Sequence, residues 1–328
     1  MGEVSTPALH LWDGVSRRKM MELGLLGGEW QLGALAALGA ALFWALATVI
    51  YGQVGQTFAP LWLNLFKGGI AIALLTLTLL LTADPIPSQV LAPVGLLLIS
   101  GVVGIGLGDT AFLFALSKLG ARRTLLLETL APPLTACLAW LFLGETLPLR
   151  AWLGIVLVLL GVGWVIAERT PDWVRDPAHL KQGLLWGVLS TLCQGVGAVL
   201  SRAALVQSTL TPLWSTLLRL LGGMGMIILL LALLKTGQRR PTGQILRSPK
   251  LWGAIALAAL LGTYLGIWLQ QTAFKLAPAG IAQTFLATSP LFVLPLAALL
   301  KEPISLRAVL GVFIALLGIS LLFSGGTA

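Results

Sequence analysis

The strongest constraint in this chain is its run of long segments without a charged side chain. Residues 31–66, 68–83, 85–108, 129–144, 151–167, 182–201, 203–218, 220–234, 251–274, 276–300 and 308–328 contain no Asp, Glu, Lys or Arg. A helix that crosses a bilayer needs about 20 mostly apolar residues, and a soluble fold has no use for so many of them. The composition agrees: 57% of residues are hydrophobic and 10% charged, against about 45–50% and 25% in soluble domains. Lipid cannot satisfy backbone polar groups, so each segment must close as a helix. The period-2 alternation of a β-barrel is absent. The expected fold is an all-α membrane protein with ten transmembrane helices, at about 32–51, 61–82, 91–116, 121–143, 148–167, 182–204, 212–234, 251–274, 279–300 and 305–323.

The net charge of +9 falls mainly between these spans. That distribution argues against nucleic-acid binding and fits topology signals and anionic lipid. With a cytoplasmic N-terminus, Arg17, Arg18, Lys19, Arg150, Arg202 and Lys275 lie inside, and thirteen other loop bases lie outside. The loop count therefore favours the reverse orientation, while the basic flank of the first span favours this one. Cys137 and Cys193 sit inside apolar spans as inert thiols. His10 and His179 are isolated, so no metal site and no cofactor is expected. No Walker loop, serine elbow or HExxH motif is present, which argues against ATP use and against an enzyme.

The chain also repeats itself. Shifted by 157 residues, Lys118-Leu119 falls on Lys275-Leu276, Pro133-Leu134 on Pro290-Leu291, and Glu145 on Glu302. Leu149-Arg150-Ala151 falls on Leu306-Arg307-Ala308, Gly154 on Gly311 and Gly161 on Gly318. Earlier, Pro60-Leu61-Trp62 matches Pro212-Leu213-Trp214, with Lys67 on Arg219. This divides the chain into a leader (1–31), a first five-helix repeat (32–167), a linker (168–181), a second five-helix repeat (182–323) and a tail (324–328). An odd number of spans per repeat inverts one repeat relative to the other, which predicts a site near the midplane between them. The glycine pairs Gly154/Gly161 and Gly311/Gly318 recur every two turns on one face and suit close helix packing. The Gly106–Asp109 stretch is expected to loosen the third span.

Ten spans in two repeats, with Lys67 and Arg219 early in the second helices, Pro133 and Pro290 in the fourth, the Gly144-Glu145 and Lys301-Glu302 elbows and Gly154 and Gly311, resemble the EamA-domain transporters of the drug/metabolite transporter superfamily. The resemblance covers about 32–323. It implies a secondary transporter, export as the direction, cytoplasmic termini and a bacterial inner membrane. Substrates across the family range over amino acids, nucleotide-related metabolites, sugars and drugs.

Charge inside a membrane costs about 2.5–3.5 kcal/mol on insertion scales and marks a functional candidate. Lys67 and Arg219 lie about 10 Å into their helices; they either bind an anionic group of substrate or pair structurally with an acid. Asp109 and Glu128 are unique to the first repeat, since Gly266 and Phe285 stand at the matching positions. They are candidates for proton coupling, with a fixed ion pair as the alternative. Asn64, Trp44, Tyr264, Trp268 and Gln271 complete the expected substrate-binding set, with interfacial belts the alternative role of the aromatic residues and hydrogen bonding between helices that of the amides. The repeated Pro133 and Pro290 read as scaffold, and Glu145 and Glu302 as helix caps or short-range partners of Arg150 and Arg307. Two functions of different class remain: a carrier for a small amino acid-like or amphiphilic metabolite, in contact with membrane lipid as monomer or homodimer, or a non-transporting scaffold or lipid-flipping protein.

Overall fold

A computed structural model describes residues 28–55, 57–85, 91–166, 177–233, 248–292 and 306–324. Most of the expected leader, most of the linker, the tail and the Lys301-Glu302 elbow lie outside the described residues. What is described is helical throughout, with no strand among the described residues. Six stretches are long and apolar enough to cross a membrane: Glu29–Val54, Pro60–Thr82, Leu91–Gly120, His179–Val206, Pro212–Leu233 and Pro249–Leu276. Shorter apolar helices accompany them at Ala131–Leu143, Leu149–Trp164 and Val309–Phe323.

The burial pattern is that of a protein dissolved in lipid. Leu80, Leu81, Trp140, Leu141, Phe142 and Phe313 face outward, whereas Asn64, Lys67, Asp109, Gln194, Arg202, Arg219, Gln270 and Gln271 are buried. Without water around the bundle, apolar burial drives nothing, so close packing and polar contacts must hold the helices together. The most extensive helix-to-helix packing falls between α6 (Leu149–Ile166) and α12 (Leu306–Ser324). A methyl group on Gly161 would collide with the backbone of Gly311 and Ala315, and one on Gly318 would sit 2.7 Å from Gly154 O. The expected role of these glycines in helix packing is what the structure shows.

The remaining helices are α1 (Gly28–Val54), α2 (Pro60–Thr82), α3 (Leu91–Gly101), α4 (Thr110–Glu128), α5 (Ala131–Leu143), α7 (Pro177–Val206), α8 (Pro212–Leu233), α9 (Pro249–Ala258), α10 (Gly266–Leu276) and α11 (Ala279–Leu286). Proline opens α2 and α8 because the first helical residue has no intrahelical use for its N–H. Two stretches of π-helix interrupt long spans, Val102–Asp109 between α3 and α4, and Ala259–Leu265 between α9 and α10. Under the 157-residue shift they coincide. The loosening expected at Gly106–Asp109 thus takes the form of a wider helical turn, present in both halves.

The sequence reading of one unbroken span at 121–143 is corrected. Gly120 departs from helix with φ 76°, and Thr129 and Leu130 form a turn between α4 and α5. Pro132 and Pro133 lack the N–H groups that would bond to Glu128 O and Thr129 O, so the helix cannot continue through them. Ala287 and Thr288 break the second copy at the matching place, just before Pro290.

Candidate functional site

Both π segments, together with both proline breaks, meet at one cavity. A π turn redirects carbonyls away from their usual partners, and side chains supply the missing donors. Asn64 donates to Ile105 O at 3.1 Å and to Thr110 Oγ1 at 3.0 Å. Trp44 Nε1–H donates to Gly262 O at 2.8 Å. Near the first proline break, Leu127 O accepts from Thr191 Oγ1 at 3.1 Å.

Four of the residues expected from sequence line this cavity: Trp44, Lys67, Asp109 and Glu128. Lys67 Nζ and Asp109 Oδ2 form a buried ion pair at 2.5 Å, and the ammonium lies 5.5 Å from the centre of the Tyr51 ring. Tyr51 exchanges a hydrogen bond with Thr263 at 3.0 Å. Helix α7 supports both acids: Ser190 Oγ donates to Glu128 Oε1 at 2.7 Å, and Gln194 Nε2 lies 3.4 Å from Asp109 Oδ1. Ser190 and Gln194 are four residues apart, so the carboxylates are held one helical turn from each other.

Two expected residues stand behind the wall. Asn64 is fully buried against the first π segment. Arg219 is 2% exposed, with Nη1 3.3 Å from Gln270 Oε1 and Nε without a partner. It is Gln270 that faces the cavity. The other three are elsewhere. Tyr264 bonds to Thr78 at 2.7 Å and packs on Trp268 in an apolar cluster with Ala71 and Leu75. Gln271 accepts from Ser215 at 2.9 Å inside the bundle.

Tyr51 and Gln270, open to a lining role by their place in apolar spans, and Phe112, Gln194 and Gln283, which sequence reading left out, also line the cavity. The usable signal was an amide inside a charge-free span, because such a group needs a partner or a solute. Pro290, read as scaffold, is on the cavity wall.

A second buried ion pair lies off the cavity wall. Arg202 Nε donates to Glu145 Oε1 at 2.6 Å, and Nη1 donates to Phe274 O and Lys275 O at 2.9 Å. Glu145 Oε2 accepts the N–H of Ala279 at 2.9 Å. Three chain segments are thereby tied together: the elbow after α5, the end of α7 and the α10–α11 elbow. This corrects the expected pairing of Glu145 with Arg150, which is exposed. The level is set by Gly33, whose missing Cβ would lie 3.1 Å from Ala277. The cavity residues Trp44–Tyr51 are 11 to 18 residues farther along α1, roughly 16–27 Å away.

An apolar exterior and buried polar groups within the bundle define an integral, multi-pass membrane protein. The chain belongs to the EamA-like transporter family, whose model matches residues 31–167 and 181–324. It is 25% identical over 263 residues to YyaM, an uncharacterized transporter of Bacillus subtilis (strain 168), spanning 80% of this chain and 84% of that protein. An uncharacterized transporter of Clostridium kluyveri is 29% identical over 144 residues, 44% of this chain and 46% of that one. One crystal structure superposes with a TM-score of 0.71 at 15% identity, over 90% of this chain and 98% of the other. Family membership makes the chain a membrane transporter and not an enzyme.

Proposed function

We propose that the chain is a secondary carrier that moves a small amino acid-like or amphiphilic metabolite by alternating access, in the export direction, across a bacterial inner membrane. The observation that carries the reading is a cavity at four helix interruptions, lined by aromatic and aliphatic side chains and by the buried charges Lys67, Asp109 and Glu128. Interrupted helices beside charged groups are how carriers build solute sites in lipid. The non-transporting scaffold or lipid-flipping alternative favours a dry, packed centre, and the cavity beside Lys67 weighs against it.

Two inverted five-helix repeats supply the rocking unit of this reading. Contacts between elements support it, because they exchange in pairs: α1 packs on α10 as α7 packs on α3 and α4, and α5 on α7 as α11 on α1. Helices α2 with α8, α5 with α11 and α6 with α12 pair across the exchange. The carrier works as a monomer or homodimer, and binds no nucleic acid. Lys67 and Arg219 form the basic side of the site, with Asn64 and Trp44 holding the π segments in place. Tyr264, Trp268 and Gln271 shape the path as α10 and the second π segment move.

Glu128 and Asp109 couple transport to protons. Flux driven by a pH gradient in proteoliposomes should be abolished in Glu128→Gln. Gradient-driven flux equal to that of the unsubstituted chain sinks the assignment of Glu128.

A further inference from the structure

Among the described residues, Lys67, Asp109 and Glu128 are the Asp, Glu, Lys and Arg side chains on the cavity wall. Lys67 and Asp109 neutralise each other. Glu128 accepts one hydrogen bond from the uncharged Ser190 and has no salt-bridge partner among the described residues. Among the described residues, Glu128 is therefore the acid on the wall that has no ion-pair partner. Arg219 is not among the lining residues; its Nη1 lies 3.3 Å from Oε1 of Gln270, which is.

Three more features of the same wall suit a cation. Trp44, Tyr51 and Phe112 contribute aromatic rings, whose negative faces attract ammonium groups. Gln283 is 6% exposed, lines the cavity, and has an Oε1 without any hydrogen-bond partner. That atom is an unused acceptor, which a donor can satisfy and an anion cannot. Finally, Lys67, the cation on the wall among the described residues, is already paired with Asp109.

We propose that the transported solute bears a positively charged amine, an organic ammonium compound, for which Glu128 is the counter-ion in the aromatic-lined cavity. This rests on the carrier reading above and narrows it to a substrate class. Glu128 supplies the charge, the rings of Trp44, Tyr51 and Phe112 the apolar surround, and Gln283 Oε1 an acceptor for an ammonium N–H where the amine has one. Ser190 is a positioning residue, fixing the carboxylate rotamer through its hydrogen bond.

The test uses the full chain in nanodiscs, with benzyltrimethylammonium and benzenesulfonate as probes of similar size and opposite charge. The unsubstituted protein should bind the ammonium saturably and ignore the sulfonate. Glu128→Gln should weaken ammonium binding by about tenfold or more, the worth of a contact with a charged group, and Glu128→Asp should retain most of it. Unchanged thermal unfolding shows that each variant is folded. Full ammonium affinity in folded Glu128→Gln, or displacement of the ammonium by the sulfonate, overturns the assignment. Proteoliposome flux separates the two claims. Transport of the sulfonate but not the ammonium overturns the cationic class and leaves the carrier standing. Glu128-dependent ammonium binding with no flux of either probe supports the site and defeats the carrier.

Discussion

Breaking the Arg202–Glu145 pair should cost far more than its surface counterparts do. The two side chains are 5% and 6% exposed, so neither charge can turn to water when its partner is lost. Glu145→Ala leaves the Arg202 guanidinium with only two carbonyl acceptors and orphans the N–H of Ala279. Arg202→Met leaves the carboxylate with that single N–H. Removing one member of a buried pair costs about 3–5 kcal/mol, against about 0–1 kcal/mol for an exposed pair. Replacing both members by apolar side chains is often neutral, because no charge stays behind. The double variant Glu145→Leu/Arg202→Met should therefore fall short of the summed single losses by about 3 kcal/mol or more. Denaturant titration in mixed micelles, followed by tryptophan fluorescence, supplies the four corners of the cycle. A parallel measurement tests the tie between the segments: in a background lacking Cys137 and Cys193, a cysteine at Ala279 should label slowly with maleimide, and faster once Glu145 is removed. Single losses below about 1 kcal/mol with additive behaviour would refute the view that this pair ties the three segments together.

Further outcomes follow from the same geometry. Asp109→Asn should destabilise by about 3–5 kcal/mol by stranding Lys67, and Lys67→Met/Asp109→Leu should recover much of that loss in the same titration. Gly161→Leu should cost at least about 1–3 kcal/mol, because the side chain has only the backbone of Gly311 and Ala315 to enter; Gly225→Leu, with nothing within 4 Å of its Cβ position, is the neutral control. Trp44→Phe removes the donor to Gly262 O and should cost about 0.5–1.5 kcal/mol. Amide hydrogen exchange should speed up across Ala259–Leu265 more than across Val102–Asp109 in that variant.

Some of the site was open to sequence reasoning. A charge buried in lipid is costly, so Lys67, Asp109 and Glu128 stood out, and all three reach the cavity. Arg219 stood out for the same reason, yet its guanidinium is held behind Gln270. The aromatic residues were harder. Trp44 and Trp268 both lie deep in apolar spans, and only packing tells the one on the cavity wall from the one in an apolar cluster. Neighbouring amides show the same limit: Gln270 and Gln271 are adjacent, and one helical step of about 100° sends the first to the cavity and the second to Ser215.

What the sequence determined alone was the solvent and the periodicity. Charge-free segments require a helical bundle in lipid, and the repeated Lys118–Gly163 stretch places the same marks in both halves. The tertiary structure decided which long-range partners those marks find. Glu145 is four residues before its own helix, but its partner is Arg202, 57 positions away. Pro133 and Pro290 end helix segments by local chemistry, and only the assembled bundle brings those breaks and the two π segments to one cavity. Local rules act over one or two turns, whereas a site between helices depends on which faces meet, and that is a property of the packing.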